Sequence, residues 1–379
     1  MESKYSKETI EVLKSLKRKK NVLISGSPGT GKSRLLSEVA SAFKEYPPQS
    51  IPNPVHVPTA SVPIPKEVQV RDTDFKGFFP AEGRTDRAVF RTVFHQNSKY
   101  KDFLTGIVPI FNQKGTGFTI SEGTLYRASE YAKKTNGAAL LIIDEINRGP
   151  AIQVFGGSIV GIEPEKRLDC DNNPTLNTQF FEILDPNTNQ VIEYALPEHL
   201  YILAAMNQAD ASIAPLDVAF LRRWAPYRLT PNFEVVYARY NLTIDLNTLP
   251  ESPTEAQHIY GAAIKACQVI NERIKKGRSP EFQIGQGIFF STPYDEKNEM
   301  KEAANEMIEV WQQVYSHVEE IYFGNIKGIA HILHITEDGE VLQLEEKFIV
   351  SERSIWIEGL DLVTEENIYA LFKQIIGED

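Results

Sequence analysis

Two stretches of this chain hold residues whose types and spacing could do chemistry together. One is GSPGTGKS at 26–33. The other is LLIIDE at 140–145, an aliphatic run that ends in two adjacent carboxylates, Asp144 and Glu145. The first has the phosphate-loop spacing of glycine, four residues, glycine, lysine and serine. In it Gly26, Ser27, Pro28, Gly29, Thr30 and Gly31 form a turn whose backbone N–H groups can converge on phosphate oxygens. Lys32 can reach the β- and γ-phosphates, and Ser33 can ligate Mg²⁺. A run as apolar as LLII belongs inside a sheet covered on both faces, and unpaired charge at the mouth of a core is costly. A metal–triphosphate complex would compensate it. Asp144 is then the second metal-holding residue, and Glu145 is the general base that activates water against the γ-phosphate. A chance glycine turn and a helix N-cap are the alternatives, but a cap accounts for Asp144 alone.

A second buried-strand pattern, LYILAAMNQAD at 200–210, ends in Asn207, with Asp210 three residues later. An amide there can hold the attacking water or a γ-phosphate oxygen, although Asn is also a common turn former. LDVAFLRRW at 216–224 ends a short helix in Arg222 and Arg223. These could complement a helix C-terminus. In phosphoryl transfer, a free arginine can also be lent to a neighbouring subunit's transition state.

The elements that must position these groups alternate. A helix is expected over 5–20, with Ile10, Leu13 and Leu16 at helical spacing and a basic end, KRKK, that suits the helix dipole. The strand NVLISG follows, then the phosphate loop and a helix from about Lys32 to Tyr46. Seven of the chain's 22 prolines fall within 47–65, which marks an insertion placed at 47–90. RTVFHQ (91–96), ALLIID (139–144), YILAAMN (201–207) and APYRL (225–229) read as further strands separated by helices. The expected fold is therefore α/β, a parallel sheet with helices on both faces. Beyond Pro231 the pattern is helical over 254–277 and 296–323. From 329 to 358 it reads as strands (IAHILHI, VLQLEEKFIV, SIWIE), closed by a helix at 364–377. His331 and His334, on opposite faces of such a strand, would make no metal site.

Composition narrows the function classes. With 42% hydrophobic and 24% charged residues the chain reads as a soluble globular protein, and a net charge of −11 argues against one that coats nucleic acid by charge alone, though not against a local basic face. No apolar run reaches the roughly 20 residues of a membrane span. The first twenty residues carry no signal-peptide core, and Cys170 and Cys267 form no ligand pattern; a cytoplasmic location is expected.

The order of phosphate loop, DEINR, MNQAD and FLRRW resembles the AAA+ superfamily, and more narrowly the McrB family of NTPase subunits of modification-dependent restriction systems. VFHQNSKYKDFLTGIVP (93–109), FGGSIVGIEPEKR (155–167), AMNQADASIAPLDVAFLRRW (205–224) and FQIGQGIF (282–289) carry the likeness, which covers roughly residues 10–325. The resemblance implies an AAA+ nucleotide-binding domain over 1–230 and a helical lid over 231–325; 326–379, which has no counterpart in it, reads from its own pattern as a small C-terminal α+β extension. It further implies Asn207 and Asp210 as a signature pair, Arg222 or Arg223 as a finger acting in trans, and Arg148 as a charge at a subunit interface. The family has a glutamate where Gly157 stands and a histidine where Gln286 stands. No counterpart of the family's DNA-recognition domain is expected ahead of the first strand.

The function so implied is a ring motor, a hexamer, that hydrolyses GTP with Mg²⁺ and drives a McrC-like nuclease. DNA would be engaged through the assembly rather than by this chain alone. ATP as substrate, a MoxR-like remodelling ATPase and a nucleotide-gated scaffold are the alternatives. The segment 326–379 is either a docking surface for the partner or a cap on the lid's core.

Overall fold

The computed structural model describes residues 5–45, 79–112, 115–209, 216–291, 299–334, 349–350, 355–356 and 363–377. Their packing divides the chain into two units. The first comprises 1–25 and 32–228; the second comprises 26–31 and 229–379. By its packing, the phosphate loop thus goes with the second unit, although it joins a strand and a helix of the first.

The first unit is built on a five-stranded sheet. Its strands are β1 (Asn21–Ser25), β2 (Asp86–Val93), β5 (Gly137–Asp144), β8 (Leu200–Met206) and β9 (Ala225–Arg228), in the order β2-β5-β8-β1-β9. All four pairings are parallel. Seven of the eight β5 residues and every residue of β8 are buried. A parallel sheet covered on both faces requires such continuous apolar runs. Helices α1 (Lys7–Lys19), α2 (Lys32–Lys44) and α3 (Thr124–Ala132) pack on it. The α1 helix is capped by Ser6, which accepts from the Thr9 N–H, and it buries Ile10, Leu13 and Leu16. At its basic end Lys17 pairs with Glu82 at 3.1 Å and Lys20 with Glu198 at 3.4 Å.

Because the central strands are parallel, their C-terminal ends share one edge. Ser25 of β1 is in register with Met206 of β8, and Ala204 of β8 with Ile143 of β5. The residues that follow these strands therefore lie side by side. At the opposite edge, where β1 and β8 begin, the fully buried Arg167 donates to the Ile162 and Leu200 carbonyls and to Asn21 Oδ1, the last at 2.7 Å. Burial lowers its pKa to about 10. Asn21 in turn donates to the Ile162 and Arg223 carbonyls, at 2.7 and 3.2 Å. One buried polar knot thus ties the start of β1 to the segments that carry the later site residues.

Two antiparallel hairpins interrupt the alternation: β3 (Thr105–Asn112) with β4 (Gly115–Glu122), and β6 (Phe181–Leu184) with β7 (Val191–Tyr194). Neither was legible as a hairpin. On β3–β4, Ile107, Phe111 and Phe118 are largely exposed, so its apolar residues do not signal a core. The β2 strand starts at Asp86, inside the 47–90 range assigned to the proline-rich insertion. Residues 47–78 of that insertion lie outside the described residues.

The second unit is helical. Its core is formed by α4 (Ala256–Gly277), α5 (Met300–Ile321), α6 (Ile326–Leu333) and α7 (Ile368–Ile376). The α6 helix corrects the strand expected at IAHILHI. Ile329, Ala330, Ile332 and Leu333 recur at helical rather than alternating spacing and are buried together, and Asn325 caps the helix by accepting from the Gly328 N–H at 2.9 Å. Of the later strands expected, Ile349–Val350 pairs with Ile355–Trp356; 341–348 lies outside the described residues.

Helix α7 inserts Ile368, Tyr369, Leu371, Phe372 and Ile375 into the core that α4 and α5 build. Burying five such side chains contributes on the order of 10 kcal/mol as an upper bound, comparable with the whole stability of a domain. Truncation after Asn325 is therefore expected to abolish cooperative melting of the helical unit and expose apolar surface. Calorimetry and dye binding of the truncated chain check this. Unchanged melting would mean that 326–379 is an appendage and would restore the docking-surface reading.

Candidate functional site

The loop after β1 makes its turn at two glycines in the left-handed region, Gly29 (φ 76°) and Gly31 (φ 91°), where an L side chain would be strained. Thr30 closes the turn by donating from Oγ1 to the Ser27 carbonyl at 2.8 Å. The α2 helix opens at Lys32, so the loop's N–H groups and the helix N-terminus meet where an anion would bind. Burial pulls the Lys32 ammonium down to about 8, while Glu145 and Asp144 work the other way. A cation both desolvated and faced by carboxylates gains most from a phosphate placed beside it.

Asp144 ends β5, and its Oδ1 accepts from the Glu145 N–H at 3.0 Å. Glu145 itself sits in the left-handed region at φ 51°, ψ 44°. For a non-glycine residue this costs of order 1–3 kcal/mol and is typical of residues held for function. Its two carboxylate oxygens are engaged unequally, Oε1 by a hydrogen bond and Oε2 by an ion pair alone. Asn207 Nδ2 donates to Oε1 at 2.7 Å, and Arg148 Nε lies 3.2 Å from Oε2. Asn147 Nδ2 then donates to the Asn207 carbonyl at 2.8 Å, which fixes the turn after β8 to the turn after β5. Two buried amide oxygens here, Asn207 Oδ1 and Asn147 Oδ1, have no hydrogen-bond partner among the described residues. Each can accept a hydrogen bond from a bound water or ligand. Such an arrangement can hold a nucleophilic water and take its proton.

The remaining expected residues fare differently. Asp210 lies outside the described residues. Arg222 is exposed. Arg223 is nearly buried: its Nε lies 2.8 Å from Glu163 Oε1, and it donates to the Ala219 carbonyl. Arg148, expected at a subunit interface, pairs with Glu145 of its own chain while its side chain stays half exposed. At Gly157, where the resembled family has a glutamate, a Cβ would stand 3.0 Å from the Cβ of Phe181, so the position has lost room as well as charge. Asn147 was missed. Its only signal was that it stands two residues after Glu145, and nothing in the sequence says that it would meet Asn207.

Metal binding is constrained by the donors present. Ser33, exposed at the start of α2, and Asp144 offer one hydroxyl and one carboxylate. Among the described residues no group of three or more His, Cys, Asp or Glu could hold a metal. Two oxygen donors fit a hard cation that brings phosphate and water oxygens with it, which is how Mg²⁺ is ordinarily held. Among the described residues no helix is long and apolar enough to cross a membrane.

The glycine loop follows the strand between β8 and β9, and the acidic and amide residues follow the two strands beyond, which is the order expected from the AAA+ resemblance. The chain is distantly homologous to the Type IV methyl-directed restriction enzyme EcoKMcrB subunit of Escherichia coli K12. The two are 27% identical over 289 residues, 76% of this chain and 50% of that protein. It is likewise 27% identical over 244 residues to the Type II restriction enzyme BsuMI component YdiS of Bacillus subtilis, covering 58% of this chain and 64% of that one. The chain thus spans between half and two thirds of the length of these relatives. No protein-family model matches it. Among solved structures, a putative ATPase from Cytophaga hutchinsonii superposes with a TM-score of 0.31 and 14% identity, over 85% of this chain and 78% of that one. NtrX from Brucella abortus gives 0.32 and 10%, over 89% and 66%. Superpositions this loose add nothing to the strand order.

Proposed function

We propose that this chain is the nucleotide-hydrolysing subunit of a restriction system, a ring motor that turns over GTP with Mg²⁺ and drives a nuclease partner on DNA. The observation that carries the reading is the Glu145–Asn207 pair, held at 2.7 Å on the same sheet edge as Asp144 and beside Lys32. A protein that only bound nucleotide would have little use for a carboxylate in the left-handed region, hydrogen-bonded to Asn207 at this point. Lys32 and the loop amides bind the phosphates, Ser33 and Asp144 hold Mg²⁺, and Glu145 takes the proton of a water steadied by Asn207. Restriction-enzyme homology supports the nuclease partner and the DNA context. The hexamer and the preference for GTP rest on the family resemblance. Arg222, exposed and clear of the Glu163 ion pair, is the finger offered to a neighbouring protomer; Arg223 holds its own chain together.

The test is a phosphate-release assay with GTP and ATP side by side, with Mg²⁺ and with EDTA. GTP turnover that depends on Mg²⁺ and exceeds ATP turnover is expected. Faster ATP turnover would favour the remodelling ATPase. Tight binding of either nucleotide without turnover would leave only the scaffold.

A further inference from the structure

The phosphate loop is held from behind. Its amide groups can receive phosphate oxygens only if each peptide plane is turned the right way, and a loop of glycines has little stiffness of its own. In a planar trans peptide the carbonyl points away from the next residue's N–H, so whatever fixes the carbonyl also aims that N–H. Two successive carbonyls of this loop are fixed by one short segment of the second unit. The Gly287 N–H donates to the Gly29 carbonyl at 2.8 Å, which sets the Thr30 N–H. The Gln286 side chain donates from Nε2 to the Thr30 carbonyl at 3.1 Å, which sets the Gly31 N–H. Gly285, just before them, lies so close that a Cβ on it would run into the Pro28 carbonyl and the Gly29–Thr30 peptide.

Gln286 is itself locked. Its side chain is buried, and its Oε1 accepts from the Asn232 N–H at 3.1 Å. One amide therefore uses a donor on the loop and an acceptor on the chain that leads into the helical unit. Leucine could fill the same space and do neither. Glutamate could keep the acceptor, but it would set a carboxylate oxygen against the Thr30 carbonyl. A neutral imidazole has one donor and one acceptor and could serve both.

We infer that Gln286 is a positioning residue for nucleotide binding, which aims the loop's N–H groups at the phosphates by holding the Thr30 carbonyl. The inference rests on the proposed nucleotide site, and its test separates the two. Gln286→Leu, Gln286→Glu and Gln286→His are compared with the unaltered chain by titration with a fluorescent guanine nucleotide, by steady-state hydrolysis and by melting without nucleotide. The loss of one net hydrogen bond is worth about tenfold in affinity. The Leu and Glu variants should therefore raise Kd and KM about tenfold and leave kcat within about twofold, while the His variant returns both to near the starting values. If the unaltered chain hydrolyses nucleotide and the Leu and Glu variants bind as it does, the inference is wrong and the site stands. If all three variants lose affinity and melting temperature alike, Gln286 only fills space, and the inference is equally wrong. If the unaltered chain binds neither GTP nor ATP, the functional reading itself fails.

Discussion

Glu145→Gln is expected to leave nucleotide affinity within a few-fold of the unaltered chain and to cut turnover by about 10²–10⁴-fold, the usual worth of a positioned general base. The geometry makes the substitution clean. A glutamine can still accept from Asn207 Nδ2 through its carbonyl oxygen, so the turn after β8 keeps its tie to the turn after β5. What it loses is the ability to take a proton from water, together with the charge that faces Arg148. Stability should change little, because the ion pair with Arg148 is half exposed and such pairs contribute about 1 kcal/mol or less. Asn207→Ala offers the contrast. It releases one carboxylate oxygen and should lower kcat while leaving the base in place. Titration with labelled nucleotide and a single-turnover assay measure the two effects separately. Hydrolysis by Glu145→Gln at the unaltered rate would remove Glu145 from the reaction.

The second large effect concerns the two arginines. An arginine finger is worth about 10³–10⁵ in rate where it stabilises the transferring phosphoryl group. Arg222→Ala should cost a factor of that order with no change in melting temperature, because the side chain is exposed. Arg223→Ala should do the reverse. It leaves Glu163 without its partner at a site where the arginine side chain is only 8% exposed, so the melting temperature falls while residual activity per folded molecule persists. The finger reading also predicts complementation. Lys32→Ala and Arg222→Ala chains, each inactive alone, should regain part of the activity when mixed, because one kind of interface joins an intact phosphate loop to an intact finger. Light scattering should show a nucleotide-dependent assembly. Absence of complementation, or a pair of variants with the stability and activity effects exchanged, would overturn the assignment.

The groups proposed to do chemistry were legible because they are local signals. GSPGTGKS needs glycine where the backbone turns left-handed, and it needs that turn between a strand and a helix; both requirements are written in eight residues. The all-apolar runs before Asp144 and Asn207 announced central parallel strands, since only burial on both faces calls for them. Parallel strands then had to bring those two ends to one edge.

Tertiary structure decided what depends on distant partners. Arg222 and Arg223 are equivalent in sequence; only the placement of Glu163, sixty residues earlier, commits one of them to its own chain. IAHILHI can alternate or wind, and the helical core that receives Ile329, Ile332 and Leu333 selects the helix. Gln286 appeared as a mere departure from a family pattern until the loop carbonyl it holds, that of Thr30, came within 3.1 Å of it. Nothing in a linear text records that contact, because the hydrogen bond joins residues 256 positions apart, and only the packing of the phosphate loop with the helical unit brings them together.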